Sequence, residues 1–350
     1  MNTDNEWRGF LTVTLYTWAV ISIILLTLII VVDPHNNLFI SPPIKRAPID
    51  TNQRFSYPAL ARNPRFDSVV IGTSTIRLLK PSVLNDKLGG NFVNLAMNAA
   101  TAYEQSRIFD LFIRHHPKAR TIIIGLDRNW CAVEDEYERF TFRQFPEWLF
   151  DENPWNDLLY IYNNEVLEQT VRQLEFYFGH RKPKYGFDGY ANFLPPENVY
   201  DLQRAKKKIY DRSVPTKMIS DSEIKQVTSS ERSPWIFATH KLLENILSSS
   251  PDTAVKILVF VPYHYYSQGT PGSKKAIIWD ECKKRIVSLA EKTPNTYVLD
   301  FMISSRITRE DRNYWDNKHY TVEIADLIAA SIKAGVSQKK GIGDLFNYLY

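Results

Sequence analysis

The sequence predicts an α/β protein: a doubly wound parallel sheet of five strands with helices on both faces, tethered by one N-terminal transmembrane helix. Three observations carry that expectation. Of five short candidate strands, several are near-continuous runs of Ile, Val and Leu, as expected of strands covered on both faces of a parallel sheet. Helical patterns lie between those runs, which is the signature of βαβ units. The stretch from Phe10 to Val32 carries no charge at all.

Taken in order, residues 1–9 form a short tail. Residues 10–32, "FLTVTLYTWAVISIILLTLIIVV", are long enough at about 1.5 Å rise per residue to cross roughly 30 Å of hydrocarbon. The run leads directly into Asp33-Pro34 without a small-residue cleavage pattern, which favours an uncleaved anchor over a signal peptide. Arg8 is offset by Asp4 and Glu6, and Lys45 and Arg46 lie beyond the far end, so flanking charge barely encodes orientation. Residues 33–66, rich in Pro and Asn with no sustained period, read as a linker.

The α/β domain spans 67–334. Its strands are expected at 68–73, 92–97, 121–127, 254–263 and 296–301. A helical pattern begins after Ser74. Thr101 and Glu104 form a capping box opening a helix to about His116. Ser233 and Pro234 read as N-cap and first helical residue of a helix to about Ser248. Two more helices are expected at 274–292 and 321–334. Between them, residues 132–232 form a largely helical, aromatic-rich insertion with its main helix over 156–178. Its aromatics suit either a small core of its own or a groove. Arg204 to Lys208, "RAKKK", reads as a solvated helix face. Residues 335–350 form a C-terminal tail.

Composition excludes several classes. The chain of 350 residues is 44% hydrophobic and 23% charged, which is globular, and a net charge of +4 does not call for nucleic acid. Cys131 and Cys282 have no metal-ligand spacing, so no metal or cofactor is expected; they are either one disulfide or two buried thiols.

Ligands of open α/β sheets bind beyond the carboxyl ends of the strands. There this chain places Ser74 after the first strand, Asn98 after the second, Asp127 and Asn129 after the third, and His264 after the fourth. Asp316 and His319 follow the fifth, just before the last helix. Such a set suits acyl transfer. A serine hydroxyl needs a base to take its proton, imidazole is that base, and a carboxylate three residues earlier would orient it. The backbone N–H of Ser74 and the amide of Asn98 would face the oxyanion. The plainer alternative is that Ser74 is a turn residue and His319 a residue before a helix. His264, among three tyrosines, reads as a pocket wall or a second base.

Strand–G-x-S near the start and D-x-x-H before the last helix resemble the SGNH hydrolase superfamily. The resemblance is closest to its membrane-anchored branch, the polysaccharide O-acetylation and teichoic-acid D-alanylation proteins. It covers about 67–334 and leaves the insertion unmatched. It implies a flavodoxin-like three-layer α/β/α domain outside the cytoplasm, on the periplasmic or cell-surface side. It implies Ser74 as nucleophile, Asp316 as acid and His319 as base. The family's oxyanion asparagine falls at Asp127, and Asn98 or Asn129 would replace that donor. The function expected is acyl transfer through a Ser74 ester, O-acetylating or deacetylating a cell-surface glycan. The alternative is a non-catalytic anchored subunit docked on a membrane-bound O-acyltransferase. The bilayer, contacted through residues 10–32, is a partner under both.

Overall fold

The computed structural model describes residues 3–49, 52–162, 164–210 and 228–350. Its centre is a six-stranded sheet: β1 (Ser68–Ile71), β2 (Phe92–Asn94), β3 (Thr121–Leu126), β4 (Val255–Phe260), β5 (Thr296–Asp300) and β6 (Asn347–Tyr348). The spatial order is β2-β1-β3-β4-β5-β6. The first five strands are parallel, and β6 runs antiparallel to β5. In register, Val70 lies between Asn94 and Ile123, and Ile123 beside Ile257. Val69, Val70, Ile122, Ile123, Ile257 and Leu258 are fully buried. Each such side chain contributes about 1.5–3 kcal/mol of transfer free energy.

The chain leaves β1 for β2 on one side and then crosses to β3 on the other. The order therefore reverses at β1 and β3, which opens a crevice beyond their carboxyl ends. The strands stop earlier there than their apolar runs suggest. Beyond β1 the hydrogen bonding continues irregularly, with Leu95 N–H donating to Val70 O at 2.9 Å and Met97 N–H to Gly72 O at 3.0 Å. Gly72 has φ +153, and a Cβ there would meet Ile76 Cγ2 at 2.5 Å. Gly125 on β3 gives way to the same side chain. Two missing side chains thus let Ile76 fold back under the turn that carries Ser74. Residues after Ser74 form successive turns, not the expected helix.

Ten α-helices, counted among the described residues, complete the chain: α1 (Thr3–Val32), α2 (Gln53–Ala61), α3 (Pro81–Leu88), α4 (Ala102–His115), α5 (Asn164–Tyr177), α6 (Leu202–Tyr210), α7 (Ser229–Arg232), α8 (His240–Ser249), α9 (Lys274–Ala290) and α10 (Val322–Gln338). The Thr101 capping box forms in full: its Oγ1 accepts from Glu104 N–H at 3.1 Å, and Glu104 Oε2 from Thr101 N–H at 3.0 Å. Three expectations are corrected. The Ser233-Pro234 helix starts instead at His240, because residues 236–238 run extended beside Glu134, whose N–H donates to Ile236 O at 3.0 Å. The main helix of the insertion is divided into a 3-10 segment, Asn156–Tyr162, and α5, with residue 163 outside the described residues. Residues 211–227 of the insertion also lie outside them. The tail at 335–350 extends α10 and adds β6, held by Leu349 N–H to Val298 O at 2.9 Å. Cys131 and Cys282 are joined as a disulfide across 151 positions.

The chain divides into two compact units, one of residues 1–59 and 146–185 and the other of 60–145 and 186–350. In the first, α1 is long and apolar enough to cross a membrane: within Glu6–Val32 an 18-residue stretch reaches a mean hydropathy of 2.7 with 11% of it buried. Residues 33–49, part of the expected linker over 33–66, carry a dense set of internal hydrogen bonds. Asp33, at φ +38, accepts from Asn37 N–H, Leu38 N–H and Ser41 Oγ at 2.8–3.0 Å. Arg46 donates to Val32 O and Pro42 O, both at 2.8 Å, so its guanidinium satisfies a carbonyl left over at the helix end. The second unit holds the sheet.

Candidate active site

Ser74 follows Gly72 in the turn beyond β1. Its Oγ lies 2.9 Å from His319 Nε2. On the other side of the ring, Nδ1 lies 2.8 Å from Asp316 Oδ2 and 3.0 Å from Oδ1. Asp316 Oδ1 also accepts the backbone N–H groups of Lys318 and His319, each at 2.9 Å. Three residues of spacing suffice because the turn folds the carboxylate back over its own downstream amides. A carboxylate can only accept, so Nδ1 carries the hydrogen and Nε2 presents its lone pair to Ser74. Burial pushes the Asp316 carboxyl up. The hydrogen bond and charge of His319, with the two backbone N–H groups, outweigh burial and hold it at about 2.

The imidazole is held from a third direction. The ring of Phe193 meets that of His319 edge to face at 5.5 Å, and the Arg77 guanidinium lies 5.7 Å from the centre of Phe193. Phe193 belongs to the segment after the insertion's described helix α5 and carries no motif that would single it out in the sequence.

A cavity of about 460 Å³ opens over this set, lined among others by Thr73, Ala99, Asp127, Asn129 and Tyr263 together with Ser74 and His319. Asp127 is buried, and both its oxygens are occupied: Thr73 Oγ1 donates to Oδ2 at 2.6 Å and Asn129 N–H to Oδ1 at 2.9 Å. Burial pushes its carboxyl up, and those hydrogen bonds pull only partly against it. Asn129 lines the cavity, but its side-chain amide donates to Ala100 O at 2.7 Å. Ala99, at φ +50, holds the left-handed backbone that favours glycine; such strain in a non-glycine residue costs of order 1–3 kcal/mol and clusters at functional sites. Among the described residues, the backbone N–H of Ser74 has no acceptor.

Two expected residues are not brought to this point. Asn98 is absent from the lining, and its Oδ1 accepts from Arg77 at 2.9 Å. His264 is buried elsewhere, its Nε2 3.0 Å from Asp311 Oδ1 and its Nδ1 accepting Tyr266 N–H at 3.2 Å. Burial lowers its basicity and Asp311 only partly restores it.

No protein-family model and no curated protein sequence matches the chain. Among solved structures it is similar to one from Streptococcus pneumonia provisionally described as a platelet activating factor, with 9% identity, 81% of this chain and 91% of that chain covered, and a TM-score of 0.38.

Proposed function

We propose that this protein is a membrane-anchored, serine-dependent acyl transfer enzyme acting on a cell-surface glycan. The observation that carries the reading is the continuous relay Ser74 Oγ–His319 Nε2 and His319 Nδ1–Asp316 at the mouth of a cavity. In the reaction the Ser74 hydroxyl attacks an acyl carbonyl carbon while His319 Nε2 takes its proton. Asp316 stabilises the resulting imidazolium. The oxyanion faces the unoccupied N–H of Ser74. Collapse expels the leaving alcohol, which takes the proton back from Nε2. Water or a glycan hydroxyl then attacks the Ser74 ester by the same path reversed, giving deacetylation or O-acetylation.

We read the sheet as flavodoxin-like, on its 2-1-3-4-5 order of parallel strands, and the chain as an SGNH-like member of the polysaccharide-modifying branch. The Cys131–Cys282 disulfide supports a location outside the reducing cytoplasm, with residues 10–32 as the anchor. A second reading draws on Asp127. A carboxyl stands where the resemblance calls for an oxyanion donor, which suits an anchored subunit that only docks on a membrane-bound O-acyltransferase. A fluorophosphonate separates the two. The enzyme forms a covalent adduct at Ser74, seen by mass spectrometry and lost in His319→Ala. An unlabelled Ser74, with full glycan acylation by a Ser74→Ala protein, would overturn the enzymatic reading.

A further inference from the structure

A second cavity, of about 820 Å³, adjoins the first and shares Arg128, Ala132, Glu134, Tyr263 and Lys318 with it. Four cations line it: Arg128, Lys274, Lys275 and Lys318. Among the described residues none of the four forms an ion pair with a carboxylate, and Glu134 is the single acid in the lining. They come from three separate parts of the chain: the segment after β3, the first turn of α9 and the loop that carries His319. Sequence spacing therefore did not put them together by a shared helix face. Lys274 and Lys275 open α9, where the helix dipole already disfavours positive charge. Lys275, an exposed residue, donates from its ammonium to Ser267 O at 2.6 Å. Burial first, then the charges of Arg128 and Lys318, make that ammonium less basic than usual. The Lys318 ammonium lies 5.7 Å from the centre of the Tyr263 ring. Trp235, Trp279 and Tyr266 supply flat apolar walls. Like charges held in one concavity raise the local concentration of anions, and aromatic walls suit the faces of sugar rings.

We infer that this second cavity is a subsite for a negatively charged sugar, one bearing a carboxylate or a phosphate, that belongs to the substrate reacting at Ser74. The inference rests on the acyl transfer reading for the word substrate, but the binding itself does not. Arg128 and Lys318 line both cavities, so an anion held there places the rest of its molecule toward the Ser74 hydroxyl. The subsite would select against neutral sugars through the desolvation of four cations that share a single lining acid, Glu134.

The test is made with full-length Ser74→Ala protein in detergent, so that binding is read with no reaction and a failure of the catalytic reading leaves it intact. Glucuronic acid, glucose 6-phosphate and glucose are titrated by calorimetry at low and high salt. The expected result is that at least one charged sugar binds about tenfold or more tightly than glucose, with an advantage that shrinks as salt rises. The carboxylate and phosphate arms tell which anion is preferred. The double variant Arg128→Gln/Lys274→Gln should remove most of that advantage while melting at the parent temperature. Because Lys275 anchors Ser267, Lys275→Gln serves only as a supplementary variant. Equal binding of glucose and both charged sugars, or an undiminished advantage in the folded double variant, would overturn the inference.

Discussion

The molecule contains two histidine–aspartate pairs of nearly the same length, and they are opposites. His319 sits 2.8 Å from Asp316, and His264 sits 3.0 Å from Asp311. In the first pair Nδ1 faces the carboxylate and Nε2 faces a serine hydroxyl. In the second pair Nε2 faces the carboxylate, and Nδ1 is spent on the backbone N–H of Tyr266. The two rings therefore hold their proton on opposite nitrogens. The first keeps a lone pair directed at a hydroxyl by a cavity, with about a quarter of its side chain exposed. The second has no lone pair left to offer and is buried between Tyr210, Tyr314 and Asp311. A carboxylate beside an imidazole thus says little about chemistry; what the other nitrogen faces decides it. The His264 pair instead fastens α6 of the insertion, since Asp311 also accepts from Tyr210 Oη at 2.7 Å.

The largest effect that would break this contrast lies at the first pair. Ser74→Ala and His319→Ala should each lower acyl turnover by at least about 10⁴-fold, and the double variant should be no worse, because members of such a relay act as a unit. Ser74→Ala should cost less than about 1 kcal/mol of stability, being a small change at a half-exposed turn, whereas His319→Ala also removes the hydrogen-bond partner of Asp316 and should cost about 1–3 kcal/mol. Activity assays beside melting curves check this; additive losses in the double variant would mean that the two do not work together. Asp316→Asn should come next, with a loss of about 10²–10⁴-fold, since an amide can stabilise the wrong tautomer.

The second pair should behave in reverse. His264→Ala removes a buried ring and leaves Asp311 and the Tyr266 N–H short of partners, at a cost of roughly 2–3 kcal/mol. Denaturant titration should show that loss, while the chemistry at Ser74, probed by covalent labelling, persists in whatever fraction is folded.

Acid titration sharpens the comparison further. Both groups have depressed folded values, so both contribute stability at high pH that is lost as pH falls. For His264 the loss begins below its ordinary value of 6.5 and continues toward its lowered folded value. For Asp316 it falls between 3.8 and about 2 and amounts to about 2 kcal/mol. Unfolding free energy measured against pH should show a smaller upper step in His264→Phe, because the lowered His240 and His116 contribute to the same step, and should lose the Asp316 contribution to the lower step in Asp316→Asn. The smallest expected effect is at Asp127. Asp127→Asn keeps an acceptor for Thr73 and removes a titratable acid from the cavity, so acyl turnover should rise by no more than a few-fold, most visibly at high pH.

The features legible in the sequence are those written in residues close together in the chain. Several of the five parallel strands are near-continuous apolar runs, the α4 cap is a box of Thr101 and Glu104, and the Asp316–His319 spacing encloses a single turn. Ser74 and His319 stand 245 residues apart, yet both follow strands of one parallel sheet, and strand ends of such a sheet open on one rim. Their meeting could be expected from topology. Asn98, Asn129 and His264 obey the same rule of place, but only packing decided where their side chains turned. Asn98 went to Arg77, Asn129 to Ala100 O and His264 to Asp311. The sixth strand is two residues long, too short to carry a period, and exists because Leu299 and Asp300 offer it an edge. The cysteine pairing, the fold of residues 33–49 about Asp33 and Arg46, the ring of Phe193 on His319 and the gathering of Arg128, Lys274, Lys275 and Lys318 were likewise decided by tertiary structure alone. Periodicity and caps report a residue's neighbours within a turn or a strand. Which nitrogen bears a proton, and which cations share a cavity, depend on how side chains from separate turns and loops face one another, and only the closed sheet and its helices fix that.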